Sequence, residues 1–161
     1  EVFNAPLFYV HGNHDRPELR ADGRIRLAPE GGQSLEGIVV WEQGLLLSGL
    51  GGSRRYHPEG SHQYTEGEMW VRVLRLVPRL LWNRWRYGRA LDVFVAHAPP
   101  RAIGDAPDLA HQGFAAFRWL IHRFRPRYFL HGHVHFHGCR PIFQIGPTRV
   151  INVFPYYLLE L

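Results

Sequence analysis

The chain is predicted to be an α/β protein, and three observations carry that expectation. Short apolar runs end repeatedly in loops that bear His or Asn. The apolar period changes from strand-like to helical at Thr65. A strand, helix, strand succession then spans residues 91–130. Such a crossover calls for parallel pairing, because antiparallel neighbours are joined by a tight turn and parallel ones need an intervening helix.

Residues 6–10, 37–41 and 45–50 are apolar, bounded by Gly or polar residues, and read as strands. Residues 16–29 mix Pro, Asp, Gly and Arg and read as loop, with a weak edge strand over 24–27. Thr65 and Glu68 have capping-box spacing, and Met69, Val73, Val77, Leu80 and Leu81 recur on one helical face. Pro78 should kink or divide that helix, because its ring removes a backbone donor. Arg72, Arg75, Arg79 and Arg86, with Trp70, Trp82 and Trp85 nearby, are read as a solvated face rather than a membrane or nucleic-acid contact. A second helix over 112–123 places Phe114, Phe117, Leu120 and Ile121 on one side. Residues 142–145, 149–153 and 156–159 read as consecutive strands of an antiparallel meander.

The 161 residues suit one domain with a real core, and 45% hydrophobic content with ten Phe, seven Tyr and five Trp excludes a disordered chain. The net charge of +5 is carried by arginine alone and reports solubility before it reports a partner. The single cysteine, Cys139, cannot close an internal disulfide, so a reduced cytoplasm is the expected compartment. No apolar run is long enough for a transmembrane helix. The chain opens on Glu1, close to its first strand, and is read as a fragment.

The chemistry lies at three strand ends. Leu7-Phe8-Tyr9-Val10 leads into Gly12-Asn13-His14-Asp15, Val93-Phe94-Val95-Ala96 into His97, and Tyr128-Phe129-Leu130 into Gly132-His133-Val134-His135. In α/β sheets the carboxyl ends of strands open onto the crevice where ligands bind, so these loops can converge. Neutral imidazoles suit Zn, Mn or Fe, and an Asn carbonyl adds a hard oxygen without charge.

In this order the three motifs resemble the later motifs of calcineurin-like metallophosphoesterases, over about residues 6–153. The resemblance implies an α/β/β/α sandwich whose two-metal site hydrolyses phosphate monoesters or diesters. By position, Asn13, His97 and His133 look like ligands of one divalent ion and His135 like a ligand of the other. His14 looks like the histidine that meets the phosphate and protonates the leaving group, with Asp15 supporting it. The ions implied are Mn, Fe, Zn or Ni.

The chain also departs from the family's pattern. The earlier Asp-x-His and Gly-Asp motifs are not found before Pro6. Residues 1–161 are therefore read as the C-terminal portion of a single domain, a sandwich incomplete at its N-terminal side. On that reading the fragment holds at most one ion well, is inactive or very weak alone, and self-associates through the face the truncation exposes.

Arg54, in the glycine-rich Gly49-Leu50-Gly51-Gly52-Ser53-Arg54 turn, and Asp105 and His111, after the His97 loop, are further candidates for substrate contact. Two other readings compete. His11, His131 and His137 would suit a non-catalytic His-rich metal-binding module, although a structural zinc site is usually closed by four ligands, often cysteines. The arginine excess and aromatics would suit a nucleic-acid-binding protein, but Phe8, Phe94, Phe117 and Phe129 sit at expected core positions and no motif for base stacking or groove insertion is present.

Overall fold

The computed structural model describes residues 5–15, 18–19, 25–26, 29, 31–135 and 142–160. Its centre is a six-stranded sheet in the order β11 (Ile142–Ile145), β12 (Thr148–Asn152), β10 (Tyr128–His131), β9 (Val93–Ala96), β6 (Leu45–Leu50), β5 (Val39–Glu42). The four inner strands run parallel, and β5 and β11 pair antiparallel at the two edges. β1 (Leu7–Tyr9) pairs with β4 (Gly32–Ser34) in a separate parallel sheet. That pair abuts Gly49 of β6, where a Cβ would stand 2.6 Å from a Val10 methyl and 3.1 Å from Leu35 Cβ.

Helix α1 (Glu66–Tyr87) begins as the sequence predicts. Thr65 accepts from the Glu68 amide and the Glu68 carboxylate accepts from the Thr65 amide. This reciprocal cap gives partners to two amides that the first turn would otherwise leave unpaired. Gly88, left-handed at φ 73°, closes the other end. Helix α2 (Ala115–Phe124) lies with α1 on one face of the sheet, around Phe94, Phe117 and Phe129, whose rings stand 5.3–5.8 Å apart. Strand alternation sends Phe94 and Phe129 into this core, whereas Leu47, Val95 and Leu130 join Val93, Tyr128 and Ile151 in a second cluster.

Several expectations are corrected. Pro78 does not divide α1: the carbonyl its missing amide would have engaged belongs to Leu74, on the solvent side. The buried stripe is Met69, Val73, Leu76, Leu80 and Asn83, and Leu81 faces out. Arg72 is not a solvated charge, since it pairs with Glu36 and lies 4.0 Å over the Tyr64 ring. Helix α2 starts later than predicted because the backbone before it is committed elsewhere: Gly113 donates to Asp105 and Phe114 exchanges hydrogen bonds with Pro99 and Arg101.

Strand β12 is antiparallel to β11 but parallel to β10, so the end of the chain is not a simple meander. Residues 156–159 form no strand. Past β12 the Phe154 amide turns back to Asn152 Oδ1, and Tyr157 and Leu159 pack on the second cluster instead. The weak edge strand expected over 24–27 is present as β3 (Ile25–Arg26), and its antiparallel partner β2 (Glu18–Leu19) lies where only loop was expected. Strands β7 (Ser53–Arg54) and β8 (Gln63–Tyr64), unforeseen in the sequence, form a parallel pair before α1.

Candidate metal centre

The loops that follow β1, β9 and β10 meet at the carboxyl edge of the sheet. His97 Nε2 stands 2.8 Å from Asn13 Oδ1, and the His97 and His133 rings are 4.7 Å apart. A backbone bond from the Gly132 amide to the His97 carbonyl ties the second and third loops together. Gly12 makes the first approach feasible, because a Cβ there would lie 2.8 Å from His97 Cε1.

Hydrogen bonding orients each group. Asn13 Nδ2 donates to the Tyr56 hydroxyl, which turns the amide oxygen toward His97. The Asp15 carboxylate accepts from the Gly12 amide and holds the turn. His133 sits at φ 63°, a left-handed conformation that costs a non-glycine residue on the order of 1 kcal/mol or more. Its Nε2 donates to the Ala110 carbonyl at 2.7 Å, which leaves Nδ1 as the lone-pair nitrogen of the neutral ring.

Burial, followed by the neighbouring His133, lowers the His97 pKa to about 4. Burial also lowers that of His133, against the opposing pull of the Ala110 carbonyl. Both rings are therefore neutral near pH 7, the form that ligates a cation. His14 is exposed and close enough to lower both of these pKa values.

The donors suit a divalent ion in their separation. Two atoms bound to one cation at about 2.1 Å each stand about 3 Å apart when their bonds are perpendicular. The Asn13 and His97 donors are 2.8 Å apart. A cation bound by both would replace the shared proton, and His97 would carry its hydrogen on Nδ1. Among the described residues, no three His, Cys, Asp or Glu side chains are grouped to hold a metal ion. Asn13 is not of those types, and the His135 ring is stacked on Phe154 at 3.8 Å.

The other candidates occupy varied places. His111 is paired with Asp108 at 2.8 Å, and its ring is 5.1 Å from that of His133. Asp105 accepts from the Gly113 amide and shapes the loop before α2. Arg54 is engaged by Glu66 at 2.8 Å and lies over the Phe114 ring. His137 lies outside the described residues.

A cavity of about 660 Å³ opens beside the centre, lined by Asn13, His14, Tyr56, His57, Glu59 and Gln63 among others. Sequence reasoning missed Tyr56 and Gln63. Gln63 Oε1 accepts from the Tyr56 and His57 amides and shapes the cavity wall. It also missed Asn152, which is buried, donates to the Val134 carbonyl and accepts from Phe154 N, bracing the His133 loop from β12. No motif signalled these residues: Tyr56 and Asn152 act through contacts 43 and 18 residues away, and Gln63 through a loop of no regular pattern. A second cavity of about 410 Å³ lies by the C-terminal ends of α1 and α2. Its arginines are accounted for by the helix dipoles and, for Arg89, by Asp92.

A sequence model of the calcineurin-like phosphoesterases matches residues 1–137, and the chain belongs to that family. The family is one of phosphoesterases, which generally use divalent metal ions. The chain is 32% identical over 114 residues to the uncharacterized protein MJ1162 of Methanocaldococcus jannaschii, covering 66% of this chain and 47% of that protein. Among solved structures it is similar to TT1561 of Thermus thermophilus, with TM-score 0.49, 19% identity, and coverage of 77% of this chain and 50% of that one. A further crystal structure gives TM-score 0.50 and 20% identity over 77% of this chain and 46% of the other. The chain thus spans about half the length of the relatives it matches.

Proposed function

We propose that this chain contributes one half of a two-metal centre that hydrolyses a phosphate monoester or diester. The observation that carries the reading is the contact of Asn13 with His97, with the His133 ring beside it. Asn13, His97 and His133 would hold one cation, and His135 would turn from Phe154 to serve a second with donors from elsewhere in the whole protein. Divalent ions there would supply Lewis-acid stabilisation of the phosphate oxygens and a more acidic attacking water.

The chain's own residues would do the rest. Tyr56 holds the Asn13 amide, Ala110 fixes the His133 tautomer, and exposed His14 at the cavity mouth delivers a proton to the departing oxygen. His111, beside His133, is the best placed of the residues proposed to contact substrate. Mn, Fe, Zn or Ni would suit this mixture of imidazole and amide oxygen.

The half-length coverage of the relatives supports reading residues 1–161 as part of a larger catalytic domain. Partly exposed Leu47, Val95 and Leu130 support a covering of that sheet face by another segment or a second copy. A cytoplasmic location is proposed from the lone cysteine. No helix among the described residues is long and apolar enough to cross a membrane.

The test is hydrolysis of a generic aryl phosphodiester and monoester by the full-length protein after chelation and metal return. Turnover should need the added metal and fall by roughly a hundredfold or more in Asn13→Ala and His97→Ala. Turnover that survives chelation, or that is unchanged in both variants, would overturn the reading.

A further inference from the structure

The core-facing stripe of α1 uses one side of the helix. On the opposite side Val71, Leu74, Leu81, Trp82 and Trp85 are 43–74% exposed, and the two indole rings stand 5.0 Å apart. At 3.6 residues per turn these residues and Pro78 fall within a single sector about 100° wide. Arg75, Arg79 and Arg86, all exposed, occupy the adjoining sector. After Glu68 the helix carries no acidic residue. The helix therefore has two apolar faces, and the outer one is bordered by a row of positive charge. An apolar stripe of this extent on a surface marks an interaction site.

We propose that the outer face of α1 docks lengthwise on an anionic phospholipid bilayer, with Trp82, Trp85 and the aliphatic side chains in the headgroup boundary and the arginine row on lipid phosphates. Three features of the stripe select this occupant. It lies on a convex helix ridge rather than in a groove, a shape that a bilayer accepts and that a peptide ligand does not grip. Val71, Leu74 and Leu81 cannot stack on bases, which disfavours single-stranded nucleic acid. An antiparallel two-fold pairing of α1 with a second copy would set arginine row against arginine row, whereas anionic headgroups complement it. The helix would lie on the membrane without crossing it. The proposal does not depend on the metal centre.

The experiment is co-sedimentation of the full-length protein with vesicles of phosphatidylcholine alone or mixed with phosphatidylglycerol, at low and high salt. Binding should require phosphatidylglycerol, weaken with salt, and fall by roughly tenfold or more in the double variant Trp82→Ser, Trp85→Ser. Arg75→Gln with Arg79→Gln should reduce the preference for the anionic lipid. Thermal unfolding of each variant, expected to be unchanged at these exposed positions, separates lost docking from lost fold. No sedimentation with either vesicle, equal binding to both, or undiminished binding by the tryptophan variant would overturn the proposal. So would a dimer, or a complex with single-stranded DNA, that this variant abolishes while vesicle binding is absent.

Discussion

His97 and Asn13, on loops that follow different strands, share a 2.8 Å contact between Nε2 and Oδ1 across a gap that Gly12 leaves open. The closeness of this pair depends on the absent side chain of their neighbour. Substituting Gly12→Ala would put a methyl 2.8 Å from His97 Cε1. The ring should swing away from Asn13, and metal affinity, measured by calorimetry on the full-length protein, should drop by about 10- to 100-fold. Unaltered affinity would show that the ring position is not set by Gly12.

Asn152 should support the same centre from behind. Replacing it with Leu leaves the Val134 carbonyl and the Phe154 amide without their partners. Buried hydrogen-bonding groups left unpaired cost about 1–3 kcal/mol each. Urea denaturation should show a loss of at least the about 1–3 kcal/mol expected for the buried bond to the Val134 carbonyl alone, and metal affinity should fall because the His133 loop is less well held. A variant as stable as the parent would remove Asn152 from the account.

Acidification should destabilise the fold before most carboxylates titrate. Burial lowers the pKa of both His97 and His131 from 6.5 to about 4. The folded state therefore prefers these rings neutral, and the unfolded chain binds the proton more readily. Their contribution is complete above about pH 6.5 and is lost as pH falls toward 4, on the order of 2–3 kcal/mol for each ring. Denaturation midpoints between pH 7 and pH 4.5 should fall accordingly, with a shallower slope in His131→Leu. A flat profile over that interval would contradict the burial argument.

Glu66 joins the two helices through its carboxylate. It lies in the first turn of α1, accepts from the Ala115 and Ala116 amides at the start of α2, and pairs with Arg54. The α2 N-cap is Phe114, which has no capping side chain of its own. Glu66→Ala should lower stability by about 1–2 kcal/mol, the worth of a lost cap. The readout is the urea midpoint, and Glu66→Gln should recover part of the loss.

The local signals in the chain were strong where one element decided its own fate. The Thr65 and Glu68 cap, the apolar runs of β6, β9 and β10, and the crossover through α2 all depend on neighbours within a few turns or a single strand. The three histidine-bearing loops were legible for a related reason, since each directly follows a short apolar run that marks its own strand. Residues 156–159 have strand composition yet settle as a covering segment, because the turn at Asn152 directs them away from the ladder.

The α/β class, the family and the loops that carry metal-competent groups were all written in the order of the residues. Folding in three dimensions was needed to bring Asn13 to His97, to rest His135 on Phe154, to set Tyr56 and Asn152 behind the centre, and to leave α1 a second apolar face toward solvent. The division follows from range. Periodicity and capping act between residues a few positions apart, whereas tautomers, buried partners and exposure are set by whichever distant side chain the packing brings into contact.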